Sequence, residues 1–221
     1  MRDGDTRSPL AIAHRAGNSL AGLRAAADVG ADIIEADVHH YRGGLEVRHL
    51  KTMGPLPFLW DTWELVPAAA PRLGLTELLR VADAGATFML DLKGRKAAVG
   101  VEVATLLHQE VPHRAIVVCS RYWPSLQPFA NISWVRPVLS ARSRAELALL
   151  REAVRARTAY GASVHRSLVT RDLVDELHES VDVVMTWPVN DRRALDSVLD
   201  AGVSGVISDE THVLREVISQ R

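Results

Sequence analysis

The sequence predicts an α/β fold, a (β/α)₈ TIM barrel in a single domain with a shortened cap after the second strand. From Pro9 onward, short apolar stretches alternate with longer amphipathic ones, as in sheets whose parallel strands are covered by crossover helices. The alternation yields eight strand candidates and no glycine-rich first turn, which favours a closed barrel over an open doubly wound sheet. The length of 221 residues also suits one barrel of about 200 to 250 residues. We therefore expect residues 1-221 to form one domain.

The short apolar stretches are the predicted strands, at 9-14, 31-38, 87-92, 115-119, 132-138, 159-164, 181-186 and 203-208. The amphipathic stretches are the predicted helices, at 18-29, 75-84, 97-109, 143-155, 170-179, 191-200 and 210-219. Asn18, Thr170 and Asp191 are the predicted N-cap residues of their helices. The crossover at 124-130 contains two prolines, so a short turn is expected there instead of a helix.

One segment interrupts the alternation. A small strand at 45-48 is followed by residues 50-72, which are rich in proline and have little regular periodicity. Because this segment leaves the chain directly after His49, we predict that it forms an irregular loop over the site that His49 serves.

Composition excludes several classes of function. The 26 basic and 27 acidic side chains leave a net charge of -1, so charge does not favour nucleic acid or an anionic membrane as a partner. No stretch approaches the roughly 20 apolar residues of a membrane span, the first residues do not resemble a secretory signal, and a cytoplasmic location is expected by default. The one cysteine, Cys119, lies in an apolar stretch and is interpreted as a buried structural thiol.

Acidic side chains collect at the carboxyl ends of the predicted strands, which share one face of a barrel. Glu35 and Asp37 are two residues apart and therefore project to the same side, as do Asp91 and Lys93. Buried carboxylates are costly unless paired or coordinated, and three of them converging favour a hard cation, Mg²⁺ or Ca²⁺, over zinc. The alternative is that Lys93 and Arg15 neutralise the carboxylates as a structural ion network.

Two histidines, His14 and His49, are expected at the same mouth, where a pair of imidazoles can serve as acid and base near neutral pH. His165 and Trp187 also end predicted strands and are weaker candidates. Helical or surface positions and no role are expected for His39, His40, His108, His113, His178 and His212.

Six motifs follow one another along the chain, HRAGN, IEADV, VRH, LDLKG, TWPVN and GVISD. They resemble, in the same order, the HRG motif with its following Asn, E-x-D-V, V-x-H, E-x-K, W-x-V-N and G-I-x-T-D of the glycerophosphodiester phosphodiesterase family. This family belongs to a broader group of barrel phosphodiesterases that includes sphingomyelinase D. The matches run from Ile12 to Asp209, nearly the full chain.

The resemblance implies a metal-dependent enzyme that cleaves a glycerophosphodiester or a lipid-like phosphodiester. The acid-base pair of the family corresponds to His14 and His49. Its metal ligands correspond to Glu35, Asp37 and Asp91, which would share one divalent cation.

The resemblance also implies that Arg15 and Lys93 bind the phosphate. Trp187 is interpreted as part of a pocket for the alcohol or a cationic headgroup, with plain packing as the alternative.

The chain departs from the family pattern at three places. Asp91 replaces the usual glutamate, as in sphingomyelinase D, and Leu50 replaces an aspartate, which removes a polar partner from the mouth. The insertion that follows His49 is reduced to residues 50-72, which leaves room for larger or more lipid-like substrates.

These departures leave alternatives open. A sphingomyelinase D-like reaction would form a cyclic phosphate, a related barrel lyase would act on another phosphate ester, and a metal-binding pseudoenzyme would have lost turnover. The apolar residues of 53-63, Phe58, Trp60 and Trp63 among them, would either contact a lipid interface or pack against the barrel or a second subunit.

Overall fold

A closed sheet of eight parallel strands forms the centre of the structure, as the sequence predicts. The structure is a computed structural model that describes residues 8–61, 64–83, 85–156 and 159–221. Its strands, in chain order, are β1 (Leu10–Ala13), β2 (Ile33–Tyr41), β3 (Gly44–Val47), β4 (Lys51–Thr52), β5 (Phe58–Asp61), β6 (Glu64–Pro67), β7 (Phe88–Leu92), β8 (Ile116–Ser120), β9 (Val135–Ala141), β10 (Gly161–His165), β11 (Val183–Trp187) and β12 (Gly205–Ser208). The barrel runs β1-β12-β11-β10-β9-β8-β7-β2, and pairing of β1 with β2 closes it.

Helices cover the barrel between successive strands. They are α1 (Leu20–Val29), α2 (Leu75–Val81), α3 (Ala98–Glu110), α4 (Arg144–Ala156), α5 (Arg171–His178), α6 (Arg192–Asp200) and α7 (Thr211–Ile218). A 3₁₀ helix at Trp123–Phe129 joins β8 to β9, which confirms the short turn expected there. None of the helices in the described ranges has the length and apolar character needed to cross a membrane.

Two of the three predicted N-caps are confirmed. The side chains of Thr170 and Asp191 accept hydrogen bonds from backbone N–H groups in the first turns of α5 and α6. The prediction for Asn18 is wrong, because Ser19 caps α1 by accepting from the N–H of Gly22 at 3.0 Å. Asn18 lies one residue earlier, in a 3₁₀ turn that faces the barrel mouth.

The hydrophobic core has two layers. Outward-facing strand residues pack against the helices in the larger layer. Inward-facing residues fill the barrel with the smaller cluster Ile12, Ile33, Met89, Val117, Cys119, Val138, Val183, Met185 and Ile207. Cys119 is therefore buried as predicted, and burial raises the pKa of its thiol, which keeps it protonated.

The segment after β2 is more ordered than the sequence indicates. β3 pairs antiparallel with β2, and β4, β5 and β6 form a separate three-stranded antiparallel sheet, which we call the cap sheet. The prediction of an irregular loop at 50-72 is wrong in this respect. Pro55 and Pro57 lie in the connection between β4 and β5, and Pro67 lies in an edge strand, so these prolines do not interrupt the pairing. Of the residues singled out in this segment, Trp63 lies outside the described residues.

Candidate active site

Strand register brings the predicted acidic residues together at the carboxyl end of the barrel. Asp37 of β2 lies opposite Asp91 of β7, and Glu35 lies one inward position below Asp37 on the same strand. One carboxylate oxygen from each of the three lies within 4.8 Å of the others. Glu35 and Asp37 are buried and Asp91 is partly buried. This spacing fits three ligands of a single ion.

The charge balance of this group favours a cation. Burial raises the pKa of the Glu35 carboxyl well above its usual range, and the Asp37 carboxylate adds to that effect. Burial alone would also raise the pKa of Asp37, but the hydrogen bond from His49 and the charge of Lys93 outweigh it and hold that pKa well below its usual range. Asp37 Oδ1 is buried and faces the Lys93 ammonium. A buried carboxylate oxygen of this kind is a suitable metal ligand.

Lys93 supplies the positive charge of the cluster. Its Nζ lies 2.5 Å from Asp37 Oδ1 and also pairs with Asp91. Burial alone would lower the pKa of Lys93, but the Asp91 and Asp37 carboxylates outweigh it and raise that pKa, so the ammonium stays charged. Three carboxylates and one ammonium leave two negative charges when all are ionised. A divalent ion would balance them.

A tight turn after β1 delivers further groups to the same place. Arg15 has a left-handed backbone with φ of 56°, and its N–H donates to Glu35 at 2.5 Å. Gly17 lets the turn approach β2, because a Cβ there would lie 2.7 Å from the Cβ of Ala36. Strained backbone of this kind is concentrated at functional sites.

His49 lies beside Asp37 because β3 folds back along β2. The backbone N–H of Arg48 donates to Asp37 O at 3.0 Å, which fixes the next residue at the barrel mouth. His49 Nδ1 lies 3.1 Å from Asp37 Oδ2. Asn18 Nδ2 donates to that same oxygen at 2.8 Å, and Asn18 Oδ1 accepts from the backbone N–H of Asp37 at 2.8 Å.

His14, the residue that follows β1, is held in the same way by a second aspartate and asparagine. Its Nδ1 lies 2.8 Å from Asp209 Oδ1. Asn190 Nδ2 donates to Asp209 Oδ2 at 2.8 Å, and Asn190 Oδ1 accepts from the backbone N–H of Asp209 at 3.0 Å. Although burial acts to raise it, the hydrogen bond and charge from His14 hold the pKa of Asp209 at about 2. The carboxylate is therefore ionised near neutral pH.

The cap sheet contributes one more acidic residue to the mouth. Asp61, at the end of β5, lies 3.3 Å from His49 Nε2 through its Oδ2. His49 is thus in contact with a carboxylate on each ring nitrogen. Leu50 stands where the family pattern has an aspartate and cannot supply a carboxylate. Asp61 supplies one near His49 instead.

The remaining candidates have mixed outcomes. The Arg15 side chain is exposed, and its charge helps to lower the pKa of Asp209. Trp187 lies at the same end of the barrel, in edge-to-face contact with His165 at 5.2 Å between ring centroids. The helical or surface position expected for His39 is wrong, because it lies half-buried in β2, two residues beyond Asp37. Burial, followed by the charge of Arg48, lowers its pKa to about 4.

Four polar residues that contact the two histidines or Asp37 were missed or misread from the sequence. Asn18, Asn190 and Asp209 are the polar ends of the HRAGN, TWPVN and GVISD motifs, so their place in the motifs was a signal. Asp61 has no such signal, because only the pairing of the cap strands brings it to His49.

No family model matches the chain. No curated protein matches it either. Solved structures do match over nearly the whole chain. A phosphodiesterase from Oleispira antarctica, in complex with the product sn-glycerol-3-phosphate, has a TM-score of 0.76 and 18% identity, and the match covers 96% of this chain and 98% of that one.

Two further matches are glycerophosphodiester phosphodiesterases. The enzyme from Parabacteroides distasonis has a TM-score of 0.71 and 19% identity, with 96% of this chain and 98% of that chain covered. The enzyme from Thermotoga maritima has a TM-score of 0.69 and 14% identity, with 97% and 98% covered. The protein therefore has the barrel fold of the glycerophosphodiester phosphodiesterases.

Proposed function

We propose that the protein is a metal-dependent phosphoric diester hydrolase that cleaves a glycerophosphodiester or a lipid-like phosphodiester. The observation that carries the proposal is the site at the barrel mouth. It combines three carboxylates within 4.8 Å of one another with two histidines, each held by an aspartate and an asparagine. Such a set of groups offers an ion site and two proton-transfer groups around one substrate position.

Glu35, Asp37 and Asp91 would hold the divalent ion, with all ligands supplied by carboxylate oxygens. Such a ligand set favours Mg²⁺ or Ca²⁺. When bound, the ion would stabilise negative charge on the phosphoryl oxygens. Asp91 is one methylene shorter than glutamate but lies within the cluster, which supports a working ligand set.

The cationic and imidazole groups of the chain have separate tasks in this proposal. Lys93 and Arg15 bind the non-bridging phosphate oxygens, which leaves the two histidines for proton transfer. One of His14 and His49 accepts a proton from the attacking water, and the other gives one to the leaving alkoxide. Trp187 borders the space for the alcohol.

The substrate class is proposed from the neighbours and from the size of the cap. The Oleispira antarctica phosphodiesterase was solved with sn-glycerol-3-phosphate, which supports a glycerol phosphate product here as well. The cap sheet is a small element over one side of the mouth, so a long or lipid-linked alcohol has room to extend past it.

Contact with a lipid interface through residues 53-63 is part of the proposal. Strand register places one set of side chains on the outer face of the cap sheet, Lys51, Phe58, Trp60, Leu65 and Pro67. Phe58, Trp60 and Leu65 are 38%, 40% and 62% exposed, and Lys51 Nζ lies 5.3 Å from the Trp60 ring centroid. Within these three strands the face carries a positive charge and no carboxylate, a composition that suits an anionic lipid surface. A cytoplasmic location stays a prediction.

The proposed function is tested by release of sn-glycerol 3-phosphate from glycerophosphodiesters in Mg²⁺ or Ca²⁺. We expect a chelator to abolish activity, and we expect His14→Ala and His49→Ala to lower kcat by roughly 100-fold or more. His178→Ala is the matched control, because this exposed histidine contacts Ser204 just before β12 begins, at the end of the barrel opposite the cluster.

Other outcomes of that assay favour the alternatives. A cyclic phosphate product, seen by phosphorus NMR, would indicate the sphingomyelinase D-like reaction. Metal binding without turnover on these substrates would indicate a pseudoenzyme. Full activity of His14→Ala would contradict the two-histidine mechanism.

A further inference from the structure

Both histidines of the site are held by the same arrangement of groups. In each copy the ring Nδ1 faces an aspartate carboxylate, and an asparagine amide donates to that carboxylate. The asparagine oxygen accepts from the backbone N–H of the same aspartate. The copies are His14 with Asp209 and Asn190, and His49 with Asp37 and Asn18. Because this arrangement occurs twice, on separate segments of the chain, we infer that the site requires both histidines to be held by an aspartate and an asparagine.

In the first copy, the backbone fixes the orientation of Asn190. The N–H of Asp209 can only donate, so the Asn190 atom 3.0 Å away must be the amide oxygen. Ser208 Oγ lies 3.3 Å from the same oxygen and also donates to it. The Asn190 NH₂ group must then face Asp209 Oδ2, at 2.8 Å.

The orientation of Asn190 leaves a single oxygen for the imidazole. Asp209 Oδ1 faces His14 Nδ1 at 2.8 Å, and an ionised carboxylate oxygen can only accept a hydrogen bond. The proton in this contact must therefore lie on Nδ1. In a neutral ring, the lone pair is then at Nε2.

We propose that Asp209 and Asn190 are positioning residues that hold His14 as the Nδ1–H tautomer, so that Nε2 is the atom that exchanges protons with the substrate. The inference rests on the proposed function of His14 and adds residues that act through it. Nε2 either accepts a proton from the nucleophile or, when the ring is doubly protonated, donates one to the leaving alkoxide.

The sharpest test is Asp209→Asn, which reverses the polarity of the contact. Asn190 still requires an oxygen at position 209, so the new NH₂ group must face His14 Nδ1 and move the ring proton to Nε2. We expect kcat to fall by roughly 100-fold or more while KM changes less than about threefold, because the orienting aspartate acts on the reacting ring and not on substrate binding. The control is Glu210→Gln, an adjacent exposed acid that should leave both constants unchanged.

Nitrogen-15 NMR of the Mg²⁺-loaded protein reads the tautomer without any need for turnover. We expect neutral His14 to be protonated at Nδ1 in the wild-type protein and at Nε2 in Asp209→Asn. Asn190→Ala keeps the carboxylate, so it should retain the Nδ1–H tautomer and lose about tenfold in kcat.

Two results would overturn the inference. One is a wild-type His14 protonated at Nε2, and the other is an Asp209→Asn enzyme with kcat within about threefold of wild type. A wild-type protein with the expected tautomer but no phosphodiesterase activity would count against the proposed function and leave the positioning of His14 supported.

Discussion

At the scale of single residues, Asp37 connects three parts of the site. Its Oδ2 contacts the Asn18 amide and His49 Nδ1, and its Oδ1 lies beside Lys93. A substitution of Asp37 would therefore disturb the proposed metal binding, the orientation of His49 and the charge balance together. Asp209 is better suited to separate these effects, because its contacts are with His14 and Asn190.

The depressed pKa of Asp209 predicts how its contribution to stability depends on pH. The folded pKa of about 2 lies below the ordinary value of 3.8, so folding favours the ionised carboxylate. The resulting stabilisation is complete above the ordinary pKa and is lost as the pH falls towards 2. We expect the melting temperature of wild type to exceed that of Asp209→Asn most clearly at pH 5 to 6 and to approach it only as the pH falls towards 2. A difference that stays constant over this range would contradict the prediction.

The sequence predicted the carboxylate cluster better than it predicted the polar residues that hydrogen-bond to the site. Glu35 and Asp37 were assigned from strand period, and Asp91 from its place at the end of the next barrel strand, since both patterns are local. Asn18 was misread because asparagine is as suitable for a helix N-cap as for a hydrogen bond to Asp37. The close approach of Gly17 to β2 places Asn18 beside Asp37, and the sequence does not show that approach. Hydrogen bonds between distant segments leave no such local pattern.

At the scale of secondary structure, the cap sheet has two faces with different tasks. Successive residues of β5 point to opposite sides, so Phe58 and Trp60 face outward while Leu59 and Asp61 face inward. Leu59 is fully buried, and Asp61 contacts His49. Side chains on the outer face can therefore be changed without altering the contact between Asp61 and His49.

The outer face predicts binding to anionic vesicles. We expect the double variant Phe58→Ser with Trp60→Ser to lose at least about tenfold in vesicle affinity, since burying an apolar side chain contributes about 1.5 to 3 kcal/mol. Activity on soluble glycerophosphodiesters should stay unchanged. Leu149→Ser is the matched control, because Leu149 is 58% exposed on α4, away from the cap sheet. Equal vesicle binding by wild type and the double variant in a sedimentation assay would rule out this face as the contact.

The strands of the cap could not be predicted from residues 50-72, whereas those of the barrel could. Barrel strands are buried on both sides and appear as continuous apolar stretches such as that of β8. The cap strands are short and exposed, and proline is frequent near them, so their pairing depends on long-range placement. β5 and β6 became recognisable only through their register.

At the scale of the whole molecule, barrel closure assembles the site from both ends of the chain. β1 pairs with β12 on one side and with β2 on the other, which places His14 between Asp209 and Glu35. The alternation of strands and helices predicted this architecture, because each βα unit repeats the same pattern. His14 and Asp209 are 195 positions apart in the sequence, so this part of the site exists only when β1 and β12 have paired.

A divalent ion that binds only the completed barrel should stabilise the whole fold. At a concentration 100 times its Kd, such a ligand contributes about 2.7 kcal/mol. For a chain of this size, that corresponds to a rise of roughly 5 to 11 °C in the melting temperature, measurable by calorimetry. Asp91→Asn should lose most of this rise, whereas Asp196→Asn, an exposed acid paired with Arg192, should keep it. No shift in wild type would favour the structural ion network.

The ammonium of Lys93 has a consequence for how the protein matures. Because it partly neutralises Asp37 and Asp91, the chain can complete its barrel before it encounters an ion. Folding and binding of the proposed ion would then be separate events, and the protein without the ion would be a folded reserve. If the proposed ion is required, its addition would activate that reserve within the time of ion binding, without new translation.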